Sequence, residues 1–122
     1  MSRPRATERP PDVDLETFTF VVLRRPADAP DLPDEDLEAL QGRHLAYLAS
    51  LRERGVLLAA GPLGDQPDES MRGLCFYAVG VDEARALMQQ DPSVQAGRLA
   101  VDVMTWHTLR GAVVFPGAER SL

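Results

Sequence analysis

The chain has 122 residues, 44% hydrophobic and 26% charged, which fits one globular domain and leaves little room for a second. Nineteen acidic residues against 13 basic ones give a formal charge of −6, so no broad positive field draws the protein to nucleic acid or to anionic lipid. All the basic residues are arginine, and the absence of lysine removes Schiff-base and P-loop lysine chemistry.

Cys75 is the single cysteine, and His44 and His107 are the two histidines. Neither an internal disulfide nor a cysteine-rich zinc site can be assembled from them, and nothing in the pattern points to a metal or an organic cofactor. The amino terminus, MSRPRATERPPDVD, lacks the apolar core of a signal peptide, and no apolar run approaches the roughly 20 residues of a membrane span. The expectation is a cytoplasmic protein.

Residues 1–15 mix Pro4, Pro10 and Pro11 with charged side chains and read as a flexible arm. Thr17 to Leu23, TFTFVVL, reads as a strand with Phe18, Phe20 and Val22 on one face and Thr19, Val21 and Leu23 on the other. After a proline- and aspartate-rich loop, Asp34, Glu35 and Asp36 follow Pro33 as the start of a helix. This helix should run to about Arg54 and stop at Gly55. At about 100° per residue, Leu37, Leu40, His44, Leu48 and Leu51 form its apolar stripe, with Tyr47 and Leu45 at the margins. Gly42 within it costs helix stability, and close packing is the expected reason for it, ahead of a ligand near the backbone.

Val56 to Ala60 reads as a second strand closed by a Gly61-Pro62 turn, and Gly73 to Val79 as a third, apolar on both faces. Asp82 and Glu83 open a shorter helix with Ala84, Leu87 and Met88 on its apolar side, ending near Asp91-Pro92, and Ser93 to Gly97 reads as a short turn. Arg98 to Thr108 forms the last strand, and residues 111–122 a partly apolar tail.

The order is strand, helix, strand, strand, helix, strand over residues 16–110. It predicts an α+β ferredoxin-like βαββαβ domain: a four-stranded antiparallel sheet with two helices on one face. The third strand's second apolar face has no helix left to cover it, so the uncovered face is expected to be a subunit interface in a homodimer or higher homo-oligomer.

The candidate chemistry is confined to His44, Asp91 and the Gly61-Pro62 turn. Taken singly each has a plain structural reading: a core histidine, a helix-end aspartate, a turn. Together, RHLAYLASLRERGVLLAAGPL, EARALMQQDP and AGRLAVDVMTW resemble the YCII-related family over about residues 18–110. The most specific pieces are His44 with Leu45-Ala46-Tyr47-Leu48, the Ala60-Gly61-Pro62 turn, the Glu83-Ala84 helix start and Asp91-Pro92. The resemblance implies a dimeric α+β fold akin to muconolactone isomerase and an active site built on a histidine and an aspartate, here His44 and Asp91. It also connects the chain to lactone isomerases and to a dehydrochlorinase of chlorinated hydroquinones. Two departures stand out: Leu40 replaces a second histidine that many relatives carry one turn before His44, and Ser93 replaces an aromatic after the Asp-Pro pair.

If His44 and Asp91 meet, the carboxylate would fix the imidazole tautomer and His44 would serve as a general base, with Gly61 and Pro62 beside the substrate. The expected activity is a cofactor-independent lyase or isomerase acting on a small enolisable or aromatic-derived substrate. The alternative is a non-catalytic dimeric small-molecule-binding or accessory module in which the pair is a structural hydrogen bond. An oxygen-using enzyme with an aromatic substrate as its own reductant ranks third. Arg43, Arg72 and Arg98 are the cations available to an anionic or enolate oxygen, each with a surface reading beside it. Trp106, Tyr47 and Tyr77 read as core or interface anchors before cleft aromatics, and Cys75 as an inert strand residue. Asp102 shares a strand face with Met104 and Trp106 and is either buried, needing a partner such as Arg98 or Arg24, or on a solvent-facing edge.

Overall fold

The computed structural model describes residues 13–116. Their elements run β1 (Leu15–Arg24), α1 (Asp34–Glu53), β2 (Leu57–Pro62), β3 (Met71–Tyr77), α2 (Val81–Met88), α3 (Pro92–Gln95) and β4 (Ala100–Leu109). The strands form one antiparallel sheet in the order β2-β3-β1-β4, the arrangement expected of a βαββαβ chain. No helix among the described residues is long and apolar enough to cross a membrane. The expected arm falls outside the described residues except at its end, where Leu15 already belongs to β1; residues 117–122 of the expected tail also lie outside them.

β1 is longer than its apolar alternation suggests because it pairs with β4 in unbroken register from Leu15–Leu109 to Arg24–Ala100. Backbone pairing continues past the last apolar side chain wherever the partner strand supplies matching groups. The pleat then sorts the side chains as expected. Val21, Leu23, Cys75 and Tyr77 face the helices and pack with Leu48, Leu51, Ala84 and Met88 into a core where Val21, Leu51, Cys75, Tyr77, Ala84 and Met88 are fully buried.

Gly61 and Pro62 are not a turn. They are the last residues of β2, paired with Leu74 and Gly73 of β3, and the reversal lies beyond them. Proline is tolerated because β2 is an edge strand, where a missing N–H leaves no ladder bond broken. Gly73 suits the close approach opposite: a Cβ there would sit 3.0 Å from the Gly61 carbonyl oxygen, and the edge strand would have to give by a few tenths of an ångström.

α1 ends at Glu53 and Gly55 takes φ +74°, the left-handed stop expected of it. Gly42 differs from expectation: an added Cβ would meet nothing within 4 Å, so neither packing nor a neighbouring group accounts for a glycine there. Gly42→Ala is therefore expected to stabilise the protein by about 1 kcal/mol, read as a higher urea midpoint at unchanged slope.

α2 stops at Met88, and what reads in sequence as a short turn is a third helix, α3. Asp91 is its N-cap, accepting the Ser93 N–H, and Pro92 occupies the first turn, where its lost donor is harmless.

The opposite sheet face carries an aromatic cluster. Phe20 and Phe76 have ring centroids 5.2 Å apart, and Phe76 and Trp106 5.5 Å. Phe115, beyond β4, folds back onto this face 5.0 Å from Phe18 and 5.6 Å from Phe76. At the end of the same face Asp102 is half-exposed and accepts from Arg24 Nε at 2.5 Å, so of the two partners expected for it Arg24 is the one used.

Candidate functional site

α1 lays Leu40, His44, Leu48 and Leu51 against the sheet, so helical spacing alone drives the imidazole inward. His44 is 6% exposed. Forty-seven residues later the chain passes beneath it at the α2–α3 junction, where Asp91 is fully buried. His44 Nδ1 lies 2.7 Å from Asp91 Oδ2. The other carboxylate oxygen, Oδ1, accepts the Ser93 N–H at 2.8 Å. Both acceptor oxygens of a buried carboxylate are thereby satisfied.

The pairing fixes the imidazole. A carboxylate that is ionised can only accept, so beside it Nδ1 carries the hydrogen, and in the neutral ring Nε2 then holds the lone pair. His44 forms part of the wall of a cleft of about 600 Å³ between α1 and the sheet, and Nε2 is the ring nitrogen left to it. Leu23, Leu40, Leu45, Leu48, Leu74 and Leu99 give this cleft its apolar surface, and Gly61 and Pro62 at the end of β2 complete it. His44, Gly61 and Pro62 thus share one cleft, and Asp91 stands behind the histidine.

The arginines divide. Arg72 and Arg98 line the cleft, whereas Arg43 is exposed on α1 away from it. Arg25 also lines it and was not singled out by sequence reasoning. The signal was present in the pair Arg24-Arg25: successive residues of an extended segment point to opposite sides, so two arginines in a row where β1 ends favour one of them turning toward the helices. Arg25 Nε donates to the Arg98 carbonyl at 2.9 Å, which holds the two residues together. Burial, with the positive charges of Arg98 and Arg72, lowers the Arg25 pKa from its ordinary value.

The aromatic and thiol candidates lie elsewhere. The Tyr47 hydroxyl donates to the Leu87 carbonyl at 2.6 Å, tying α1 to α2, and burial followed by the Asp91 charge raises its pKa. Tyr77 is core and Trp106 belongs to the aromatic face. Cys75 is fully buried, and its thiol is pushed up to about 12 by burial first and the Asp91 charge second, which removes it as a nucleophile near neutral pH. Leu40, one turn before His44, is 5% exposed and lines the cleft, so the helix face next to the imidazole is apolar here.

No curated protein matches the chain significantly, and seven chains of solved structures do. One is 5-chloro-2-hydroxyhydroquinone dehydrochlorinase from Burkholderia phenoliruptrix AC1100, in complex with 2,5-dihydroxybenzoquinone. It is 22% identical, the match covers 76% of this chain and 95% of that one, and the TM-score is 0.47. The model of the YCII-related domain matches residues 18–107, a span that holds His44, Gly61, Pro62 and Asp91. The match takes in most of the chain, which belongs to the YCII-related family.

Proposed function

We propose that the protein is a small acid–base catalyst, a lyase or isomerase that uses His44 as general base and Asp91 as the group that orients it. The observation that carries this reading is the 2.7 Å contact between His44 Nδ1 and a fully buried Asp91, with the other ring nitrogen left to an apolar cleft. Nε2 takes a proton from carbon beside a carbonyl, and the imidazolium that forms is stabilised by the carboxylate on its far side. Return of that proton to a different carbon completes an isomerisation; departure of a leaving group from the adjacent carbon completes an elimination. The scheme draws on no metal and no organic cofactor. Gly61 and Pro62 supply a wall without long side chains against which a small, flat substrate rests.

The same reading takes the protein to be a homodimer joined through the aromatic sheet face. Phe20, Phe76 and Trp106 cluster on the side away from both longer helices, and an apolar face of this kind is normally covered by a partner.

The test is a screen of enolisable lactones and halogenated phenols in D₂O, following deuterium uptake and product by NMR, with His44→Gln alongside. The expected result is turnover that falls by at least about 100-fold in the variant at an unchanged melting temperature. Turnover surviving in His44→Gln would remove the base assignment. Leu40 favours the second reading, a binding module, because it leaves a single imidazole in the cleft for both proton steps. Ligand binding without exchange across the whole screen selects that reading.

A further inference from the structure

The arginines among the described residues fall into three groups. Arg24, Arg85 and Arg110 each pair with a carboxylate, at 2.5, 3.1 and 2.9 Å. Arg43, Arg52 and Arg54 are exposed along or just after α1. Arg25, Arg72 and Arg98 differ from both: they converge on one cleft, and none forms an ion pair with a carboxylate among the described residues. This is unexpected in a protein with 19 acidic residues and a net charge of −6. The contrast is sharpest at the end of β1, where Arg24 pairs with both Asp102 and Asp68 while its neighbour Arg25 pairs with no carboxylate among the described residues and bonds to the Arg98 carbonyl instead.

The three guanidiniums are positioned through backbone carbonyls. Arg25 Nε donates to the Arg98 carbonyl at 2.9 Å, Arg98 Nη1 to Pro30 at 2.8 Å and Arg72 Nη1 to Glu69 at 3.3 Å. Each arginine has five N–H donors, so most of the donor capacity stays unspent. Arg98 is also tied to the His44–Asp91 site: its backbone N–H donates to the Ser93 carbonyl at 3.0 Å, and the Ser93 N–H caps onto Asp91. Three like charges held together around a cleft repel one another, and an anion between them relieves that repulsion while accepting paired N–H bonds. Among the described residues Glu38 is the one acidic residue in the cleft wall, and it forms no ion pair with any of the three. The remaining wall is largely leucine, which a bare inorganic anion cannot use.

We propose that Arg25, Arg72 and Arg98 form an anion subsite that selects small organic carboxylates for the His44 cleft. The assignment rests on the acid–base reading only in calling the ligand a substrate. In it, the guanidiniums hold the carboxylate, the leucine wall holds the apolar body, and the far end of the molecule is presented to the histidine.

The test measures binding without turnover. Phenylacetate and benzoate are titrated into the full chain by NMR beside their neutral amides, phenylacetamide and benzamide, and beside inorganic phosphate. Each acid is expected to bind at least tenfold more tightly than its amide and than phosphate, with shifts in the Arg25 and Arg98 Nε–H signals. Arg72→Gln, at an exposed position, and Arg25→Gln should each weaken the acids by fivefold or more and leave the amides unchanged. Absence of saturable acid binding, equal affinity for acid and amide, or undiminished acid affinity in both variants would overturn the subsite. Phosphate binding as tight as phenylacetate would overturn its organic selectivity. Failure of deuterium exchange at His44 alters none of these outcomes, and failure of the subsite leaves the exchange experiment standing.

Discussion

Asp91→Asn is expected to leave the fold intact and reduce the proposed acid–base turnover by a factor on the order of 10³–10⁴, by reversing the histidine tautomer. The carboxylate serves two donors at once, His44 Nδ1–H and the Ser93 N–H. An asparagine has one acceptor oxygen and one donating amide. With the oxygen kept on the Ser93 N–H, where asparagine is an effective N-cap, the amide faces Nδ1 and donates to it. Nδ1 then becomes the acceptor and the ring hydrogen moves to Nε2, so the nitrogen facing the cleft can no longer take a proton. The stability cost should stay near 1 kcal/mol, since the cap and the buried hydrogen bonds are retained in altered polarity. Asp91→Ala provides the contrast: it strands two buried donors and removes the cap, and should cost roughly 2–4 kcal/mol. Long-range ¹⁵N–¹H correlation spectra of the histidine ring read the tautomer directly and need no substrate. A native His44 protonated at Nε2, or an unchanged tautomer in the asparagine variant, would defeat the orienting role.

Phe76→Asp is expected to separate the proposed dimer. Phe76 lies at the centre of the aromatic cluster, within 5.2 Å of Phe20, 5.5 Å of Trp106 and 5.6 Å of Phe115, measured between ring centroids. A two-fold interface places the substitution in both copies. An unpaired carboxylate there costs at least about 2 kcal/mol per copy, or about 4 for the pair, on the order of a 10³-fold rise in Kd. Sedimentation velocity over a concentration series reads it, and circular dichroism checks that the helix-side core, which faces the other way, is kept. A parent chain that sediments as a monomer, or a variant that associates as strongly as the parent, would rule out this face as the interface.

The element order and the faces of the strands were legible because they depend on local periodicity. Alternation sent Val21 and Leu23 to one side and Phe18 and Phe20 to the other, and helical spacing put His44 between Leu40 and Leu48 on the buried stripe. The Gly61-Pro62 pair was misread as a turn because the usual turn signal of this dipeptide yields when the strand lies at a sheet edge, and edge position is a property of the assembled sheet. Gly42 was expected to mark close packing, and only three-dimensional neighbours could show that the space around it is empty.

By itself the sequence determined a βαββαβ domain, an inward-facing His44, an Asp91 at a helix end and the family to which these belong. The tertiary structure decided what the residues do to one another. Asp91 reaches His44 across 47 positions, Arg25 turns away from the carboxylates that take Arg24, and Arg72 and Arg98 arrive from other segments to join Arg25 in one cleft. Periodicity fixes the direction of a side chain relative to its own backbone, whereas a site depends on distances between segments, and those are set only when the sheet register and the helix packing are complete.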